Sequence, residues 1–362
     1  MAFFHFKNVR VAGISAGVPS TVINNLTSER RFSKDYDNAD FVATTGVVER
    51  RIDQNLTASD LCYKAAKKLI SDLNWNANEI DAVIMVSQTL DYVLPATACI
   101  MQHRLGCSKD CYAEDIQLGC SGWVYGMSNV AALIQNGDIK RALLCAGDGR
   151  HHIICPELED PLFGFAGSVT ALEYDEGNDG IKCNFGTDGS GYDAIIRPQG
   201  GTRNPIDASI FNVVEITGKQ HNGMSTRMKG MDVFSFGIST APKSVKRLAE
   251  KYGFNYLDAD YFVFHQANMK MNQLIAKKLK LNVEKVPVSM DRYGNTSSAS
   301  IPLTIVDEFS SWGEVVNPSV LNEETFICCG FGVGLSWGTI YFKANNMVIS
   351  PIVEVNSDEH ML

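Results

Sequence analysis

The feature that most restricts the fold of this chain is a repeat of order rather than of sequence. In the first half, a helix carrying Leu61, Ala65, Leu69 and Leu73 every four residues, backed by Ala66 and Ile70, leads into the apolar run 81–88. Ser59 is its candidate N-cap. A helix over 96–106 closed by Gly106 follows, then a strand over 112–118, a helix over 121–136 stopped by Gly137, and a strand over 141–148. The second half runs the same way. Ser239 or Thr240 is the candidate cap of a helix with Pro242 in its first turn, Val245, Leu248, Ala249 and Tyr252 on one face, and Gly253 at its end. The strand 261–265 comes next, then a helix turning Met271, Leu274, Ile275 and Leu279 inward. Gln88 precedes Cys120 by 32 residues, and His265 precedes Asn295 by 30. This near-equality predicts two structurally similar halves with Cys120 and Asn295 at equivalent helix entrances. The alternation of helices with short apolar strands predicts an α/β fold with buried sheets.

The halves are expected at 1–180 and 181–344, connected through the glycine-rich stretch 186–193 and the irregular stretch 197–227, with 345–362 as an appended tail of no readable role. The start of the chain has no basic leader feeding an apolar run, and no window approaches the roughly 20 apolar residues of a membrane span, so a cytoplasmic protein is expected. A net charge of −9 argues against general nucleic-acid binding, which rests on phosphate neutralisation. The charge is uneven, however: residues 219–285 hold twelve Lys or Arg against five Asp or Glu. That excess reads either as a solvated helix face or as a docking surface for an acidic partner. The ten cysteines are scattered, several in apolar runs where a reduced thiol packs as a small hydrophobe, so no disulfide framework is expected. Cys107 and Cys111 are close, but no second Cys/His pair stands at zinc spacing and no metal site is expected.

Cys120 stands between Gly119 and Gly122 at a strand-to-helix junction, where a helix N-terminus supplies partial positive charge and unpaired N–H groups to a thiolate. By position alone it is either a nucleophile or a small buried thiol. His265, closing the strand of "YFVFH", is either a core histidine or a group at the strand ends where α/β active sites gather. Asn295, in "RYGNTSSASIP", is either a helix N-cap or a site residue. The run "CCGFGVGLSWG" lacks the helix and the later acidic residue of a dinucleotide site; it is a tight hairpin that either aims N–H groups into a pocket or simply turns.

Together, the placed cysteine, "HQAN", "GNTS" and "GFGVGLSWG", with "VAGISAGVPSTVINN" and "TTGVVERR" upstream, resemble the β-ketoacyl-acyl-carrier-protein synthase III family over nearly the whole chain. The resemblance implies a thiolase-like, five-layered α-β-α-β-α architecture of two pseudo-symmetric halves. It implies an acyltransferase in which Cys120 carries an acyl group as a thioester. His265 and Asn295 would hold the malonyl thioester carbonyl during decarboxylation, and the N–H groups of Cys120 and Val333 would form an oxyanion hole. Phe331 would lie beside the nucleophile. Leu94 would floor the acyl pocket of the partner subunit in a homodimer, and Lys270 would dock acyl carrier protein. No cofactor is implied, since the substrates are thioesters of coenzyme A or acyl carrier protein.

This chain departs from the family in three places. Val333 stands where a third glycine is usual, and Asp40 and Thr44 stand where tryptophan and arginine commonly sandwich the adenine of coenzyme A. The missing stacking face and cation put the coenzyme A primer in question and leave the donor open between coenzyme A and an acyl carrier protein. Two other functions remain open from the residues: acyl transfer to a hydroxyl, amine or water with His265 as general base, which releases no carbon dioxide, and a non-catalytic dimer partner, for which Cys, His and Asn together serve no purpose.

Overall fold

The computed structural model describes residues 2–28, 37–149, 160–216, 219–310 and 317–358. Two mixed sheets organise it. The larger has eight strands: Ser319–Leu321, Met347–Ile349, Val9–Pro19, Ala166–Tyr174, Arg141–Asp148, Ala82–Val86 and Tyr112–Ile116 in order, with Val353–Val355 also pairing to Val9–Pro19. The smaller runs Ala2–Phe6, Ile181–Thr187, Ser336–Lys343, Thr325–Gly332, Tyr261–Phe264. The expected symmetry is visible in the pairing. Val9–Pro19, Ala166–Tyr174, Arg141–Asp148 and Ala82–Val86 join as antiparallel, antiparallel, parallel. Ile181–Thr187, Ser336–Lys343, Thr325–Gly332 and Tyr261–Phe264 join in the same sequence of senses.

Helices fill the layers in the same paired way. Gly122–Ile134 and Ser300–Phe309 lie between the sheets and touch both. Their apolar faces, including Trp123, Val130, Ile134, Ile301 and Val306, share one core with Val86, Leu144, Phe326 and Ile340. Ala58–Asp72 and Thr97–Leu105 cover the outer face of the larger sheet, while Gly230–Tyr252 and Met269–Leu279 cover the smaller. The result is the five-layered thiolase-like arrangement, with the helices that follow Cys120 and Asn295 as its middle layer.

Several local expectations are corrected. The first helix is capped by Thr57 rather than Ser59, because the Thr57 hydroxyl accepts from the Asp60 N–H while the Asp60 carboxylate reaches back to the Thr57 N–H; Ser59 instead donates to Asp91 at 2.7 Å. The Pro242 helix starts at Gly230, which puts the proline in mid-helix. Proline has no N–H for the Ile238 carbonyl four residues back, and the Lys278 ammonium takes that place at 3.0 Å. The chain after Lys343 is not merely appended, since Met347–Ile349 and Val353–Val355 both pair in parallel with Val9–Pro19. Nor do the halves part cleanly: Ala2–Phe6 joins the second-half sheet, and Ser319–Leu321 joins the first-half sheet through Met347–Ile349. Cys155 lies outside the described residues.

Candidate active site

The pseudo-symmetric helix entrances meet at the interface between halves. Cys120 leaves the strand Tyr112–Ile116 through Gly119 and enters the helix Gly122–Ile134. The hairpin Thr325–Gly332/Ser336–Lys343 crosses over it so closely that a Cβ on Gly332 would lie 2.5 Å from the Cys120 Cβ and 2.9 Å from its sulfur. Glycine is therefore required at 332 by contact with Cys120. Gly330 is similarly pressed against Ser121 and the Cys120 carbonyl.

The Cys120 sulfur lies within hydrogen-bond reach of the Ser297 hydroxyl and accepts from the backbone N–H groups of Val333 and Cys120 itself. The two predicted oxyanion-hole donors thus both reach the sulfur side of the residue, and valine in place of glycine has not removed the second. A depressed thiol pKa does not follow, however. Burial, with the nearby Asp148 charge as a second cause, outweighs these donors and pushes the thiol up to about 11. At neutral pH Cys120 is a protonated thiol waiting inside a set of anion donors.

His265 follows the strand Tyr261–Phe264 and is 2% exposed. Its Nδ1 lies 2.8 Å from the Ser300 hydroxyl, and its ring meets Phe331 edge-on at 5.7 Å. Burial lowers its pKa to about 3, against a hydrogen bond with the Ser297 backbone, so the imidazole is neutral. Asn295 is 5% exposed and follows Gly294, which takes φ +69°. Its backbone pairs with the segment 162–164, and its side-chain oxygen accepts the Ser297 N–H at 2.9 Å. That bond fixes the amide and leaves Nδ2 as its available donor.

Cys120, His265 and Asn295 all touch Ser297, which sits at φ +51° in the sparsely occupied left-handed region. Sequence reasoning did not single out Ser297, nor Asp148, Ser300 or Arg50. The buried Arg50 donates to Asn25 at 3.1 Å and to the Phe163 carbonyl, supporting the segment that pairs with Asn295. The signal for Ser297 and Ser300 was the motif "GNTSSAS" itself; Asp148 had none, since its partners lie far along the chain.

Of the remaining expected residues, Phe331 lies inside and the others are exposed. Phe331 is buried, against His265 and near Met271 and Gly237. Leu94 is 80% exposed beside the fully exposed Val93. Asp40 and Thr44 are exposed on one face of the helix Asn38–Thr45, which packs on Met269–Leu279, the helix of the exposed Lys270. Lys243, Lys246, Arg247, Lys277 and Lys280 are exposed on or just after the same outer helices. Among the described residues no group of three or more His, Cys, Asp or Glu stands close enough to hold a metal, and no helix is long and apolar enough to cross a membrane.

Comparison with known proteins agrees with this geometry. Residues 114–189 match the model of 3-oxoacyl-[acyl-carrier-protein] synthase III, and residues 249–344 match the model of its C-terminal part. A β-ketoacyl-[acyl-carrier-protein] synthase III of Desulfitobacterium hafniense is 32% identical over 340 residues, covering 93% of this chain and 98% of its own. One from Staphylococcus epidermidis is 33% identical over 347 residues, covering 93% and 99%. The crystal structure of a 3-oxoacyl-(acyl-carrier protein) synthase from Burkholderia xenovorans matches with a TM-score of 0.85 and 37% identity over 98% of this chain and 99% of that one. With whole-length kinship and the motif residues gathered at one interface, the chain belongs to the β-ketoacyl-acyl-carrier-protein synthase III family of thiolase-like condensing enzymes.

Proposed function

We propose that the protein takes an acyl group onto Cys120 and condenses it with a malonyl unit on acyl carrier protein, with loss of carbon dioxide, to give a 3-ketoacyl thioester for fatty-acid or specialised acyl-chain synthesis. The convergence of Cys120, His265 and Asn295 on Ser297 carries this reading, because it sets a nucleophile beside two neutral donors. In the first half-reaction the Cys120 sulfur attacks the donor thioester, its proton leaves with the departing thiol, and the N–H groups of Cys120 and Val333 hold the tetrahedral oxyanion. In the second, His265 takes the tautomer in which Nδ1, 2.8 Å from the Ser300 hydroxyl, is the acceptor and Nε2 carries the proton. Nε2–H and Asn295 Nδ2 then bind the malonyl thioester oxygen. Loss of carbon dioxide gives an enolate at that oxygen, and its carbon attacks the acyl-Cys120 carbonyl and expels the thiolate. Donors placed where negative charge develops favour the transition state over the ground state. The thioesters carry the activation, so no cofactor takes part.

Exposure of Asp40 and Thr44 beside the Lys270 helix supports a carrier-protein donor entering there, with Lys270 and the basic outer helices meeting its acidic surface. A homodimer is supported by the exposed run Tyr92, Val93 and Leu94 and by the edge strand Tyr112–Ile116, whose Asp115 carboxylate receives two N–H groups from the start of the helix after that run. Leu94 would then floor the acyl pocket of the partner subunit, with Phe331 on the near side. We place the protein in the cytoplasm, where its carrier would reside.

The test is intact-protein mass spectrometry after incubation with a panel of acyl-coenzyme A and acyl-carrier-protein donors, followed by product analysis with malonyl-carrier protein. Mass gain on the wild type only, with carbon dioxide release, is expected. A gain that survives Cys120→Ala, or deacylation without carbon dioxide, would overturn the reading.

A further inference from the structure

Asp148 ends the strand Arg141–Asp148 and is 3% exposed, yet it is not among the groups that touch substrate in the scheme above. A buried carboxylate is costly unless its oxygens are filled, and here both are. Oδ1 accepts the Gln88 N–H at 2.7 Å and the Ser87 hydroxyl at 3.3 Å. Oδ2 accepts the Ser298 hydroxyl at 2.8 Å and the Ser298 N–H at 3.2 Å. The Ser297 side chain also donates to it.

These partners lie on the two sides of the reaction. Gln88 backs the nucleophile: a Cβ on Gly119 would fall 2.2 Å from the Gln88 Oε1 and 3.2 Å from the Ser297 hydroxyl oxygen. Ser297 and Ser298 back the amide, since the Ser297 N–H orients Asn295. We propose that Asp148 is a positioning residue that sets the separation of Cys120 and Asn295, its carboxylate clamping the Gln88 loop behind the nucleophile to the Ser297–Ser298 turn behind the amide. Acyl transfer onto Cys120 uses one side of this clamp. Carbon–carbon bond formation uses both, because the enolate carbon held at Asn295 must come within about 3–3.5 Å of the acyl carbon on Cys120.

The carboxylate has a second, separable effect, because its charge opposes the Cys120 thiolate. The other charged group that bears on this pair is the half-buried Arg197, whose guanidinium feels the Asp148 charge; the buried His265 imidazole, on the other side of Ser297, is neutral. Charge and clamp can therefore be told apart by variants that change one or both.

The inference rests on the condensation reading, and the experiment separates their failures by following Cys120 alkylation as well as turnover. Iodoacetamide alkylation of Cys120 is measured against pH in the wild type, Asp148→Asn and Ser298→Ala, alongside acyl loading and condensation with malonyl-carrier protein. Asp148→Asn is expected to move the alkylation midpoint down by about one pH unit, the scale of a nearby charge. Its loading should survive while condensation falls about 10- to 100-fold. Ser298→Ala, which keeps the charge but loses one clamp bond, is expected to leave the alkylation profile in place and lower condensation about tenfold. Should Asp148→Asn fail to fold, Ser298→Ala decides. An unshifted profile in a folded Asp148→Asn, a loading rate that falls as far as condensation, or wild-type condensation in Ser298→Ala overturns the proposal; no condensation by the wild type overturns the proposed function instead.

Discussion

The hydroxyls of Ser121 and Ser336 lie 2.7 Å apart, and Ser336 spends its own proton on the Val333 carbonyl, also at 2.7 Å, so Ser121 is the donor of the pair. Two bonds thus tie the residue after Cys120 to the turn that carries the Val333 N–H. Without them the Val333 N–H is free to drift relative to Cys120. Ser336→Ala is expected to lower kcat/KM for acyl loading about tenfold through a misplaced donor. It also strands the buried Ser121 hydroxyl and the partly buried Val333 carbonyl and should cost about 1–2 kcal/mol. Loading time courses and a urea midpoint check the two effects; full loading activity would mean that the Val333 N–H needs no such support.

The pH dependence of stability has a defined sign at His265. Burial holds its pKa at about 3 against an ordinary 6.5, so between those values the unfolded chain binds the proton that the native protein refuses. Its contribution is whole above about 6.5 and is lost as pH falls toward 3. Asp307, pushed up to about 6 by burial, works in the opposite direction over part of that range, so the comparison must be between variants. His265→Gln is expected to lose about 1–2 kcal/mol less stability than the wild type between pH 7.5 and pH 5, read from urea midpoints. Equal losses would mean that His265 accepts a proton in the native protein.

How far these features could be read in advance depended on the distance over which they act. The layered halves were legible because apolar periodicity and glycine stops are local, and the nearly equal Gln88–Cys120 and His265–Asn295 spacings reported the shared topology. Thr57 and Ser59 offer the same hydroxyl, and only the opposing Asp60 and Asp91 carboxylates decide which one caps the helix. The start of the Pro242 helix was misplaced because proline ordinarily marks a first turn, and the side chain that makes it tolerable comes from Lys278 on another helix. Cys120, His265 and Asn295 were singled out through motifs. Asp148 was not, because it gains its meaning from Ser298, 150 residues later in the chain.

That same proline yields a stability cycle. The Lys278 ammonium replaces the N–H that Pro242 lacks, so its value should exist only while the proline is present. Lys278→Met is expected to cost about 1 kcal/mol in the native background and close to nothing after Pro242→Ala. Denaturant midpoints of the four proteins give the coupling directly. Additive effects would show that water solvates the Ile238 carbonyl as well as lysine does.

Leu94 makes a distinct prediction because it is 80% exposed in the single chain and assigned to the acyl pocket of the partner subunit. Leu94→Trp adds bulk to the pocket floor without touching the catalytic groups. Loading of long acyl donors is expected to fall at least about tenfold while the shortest acyl donors load as before, since overpacking a filled site costs about 1–3 kcal/mol. An unchanged chain-length preference would place Leu94 outside the pocket.

Asp40 and Thr44 separate the two possible donors. They stand one helical turn apart on an exposed face beside the Lys270 helix, where an aromatic ring and a cation could bracket an adenine. As they are, Asp40 repels phosphate and Thr44 gives no stacking face. In the double variant Asp40→Trp with Thr44→Arg, base stacking of about 1–3 kcal/mol and a charge-assisted phosphate bond become available to coenzyme A. The KM for acyl-coenzyme A donors is therefore expected to drop about tenfold or more, with loading from acyl carrier protein changed less than threefold. Mass-spectrometric loading curves for the two donor types read this ratio. A variant that gains nothing with coenzyme A would show that the donor enters away from the Asn38–Thr45 helix, and would remove the main support for a carrier-delivered primer.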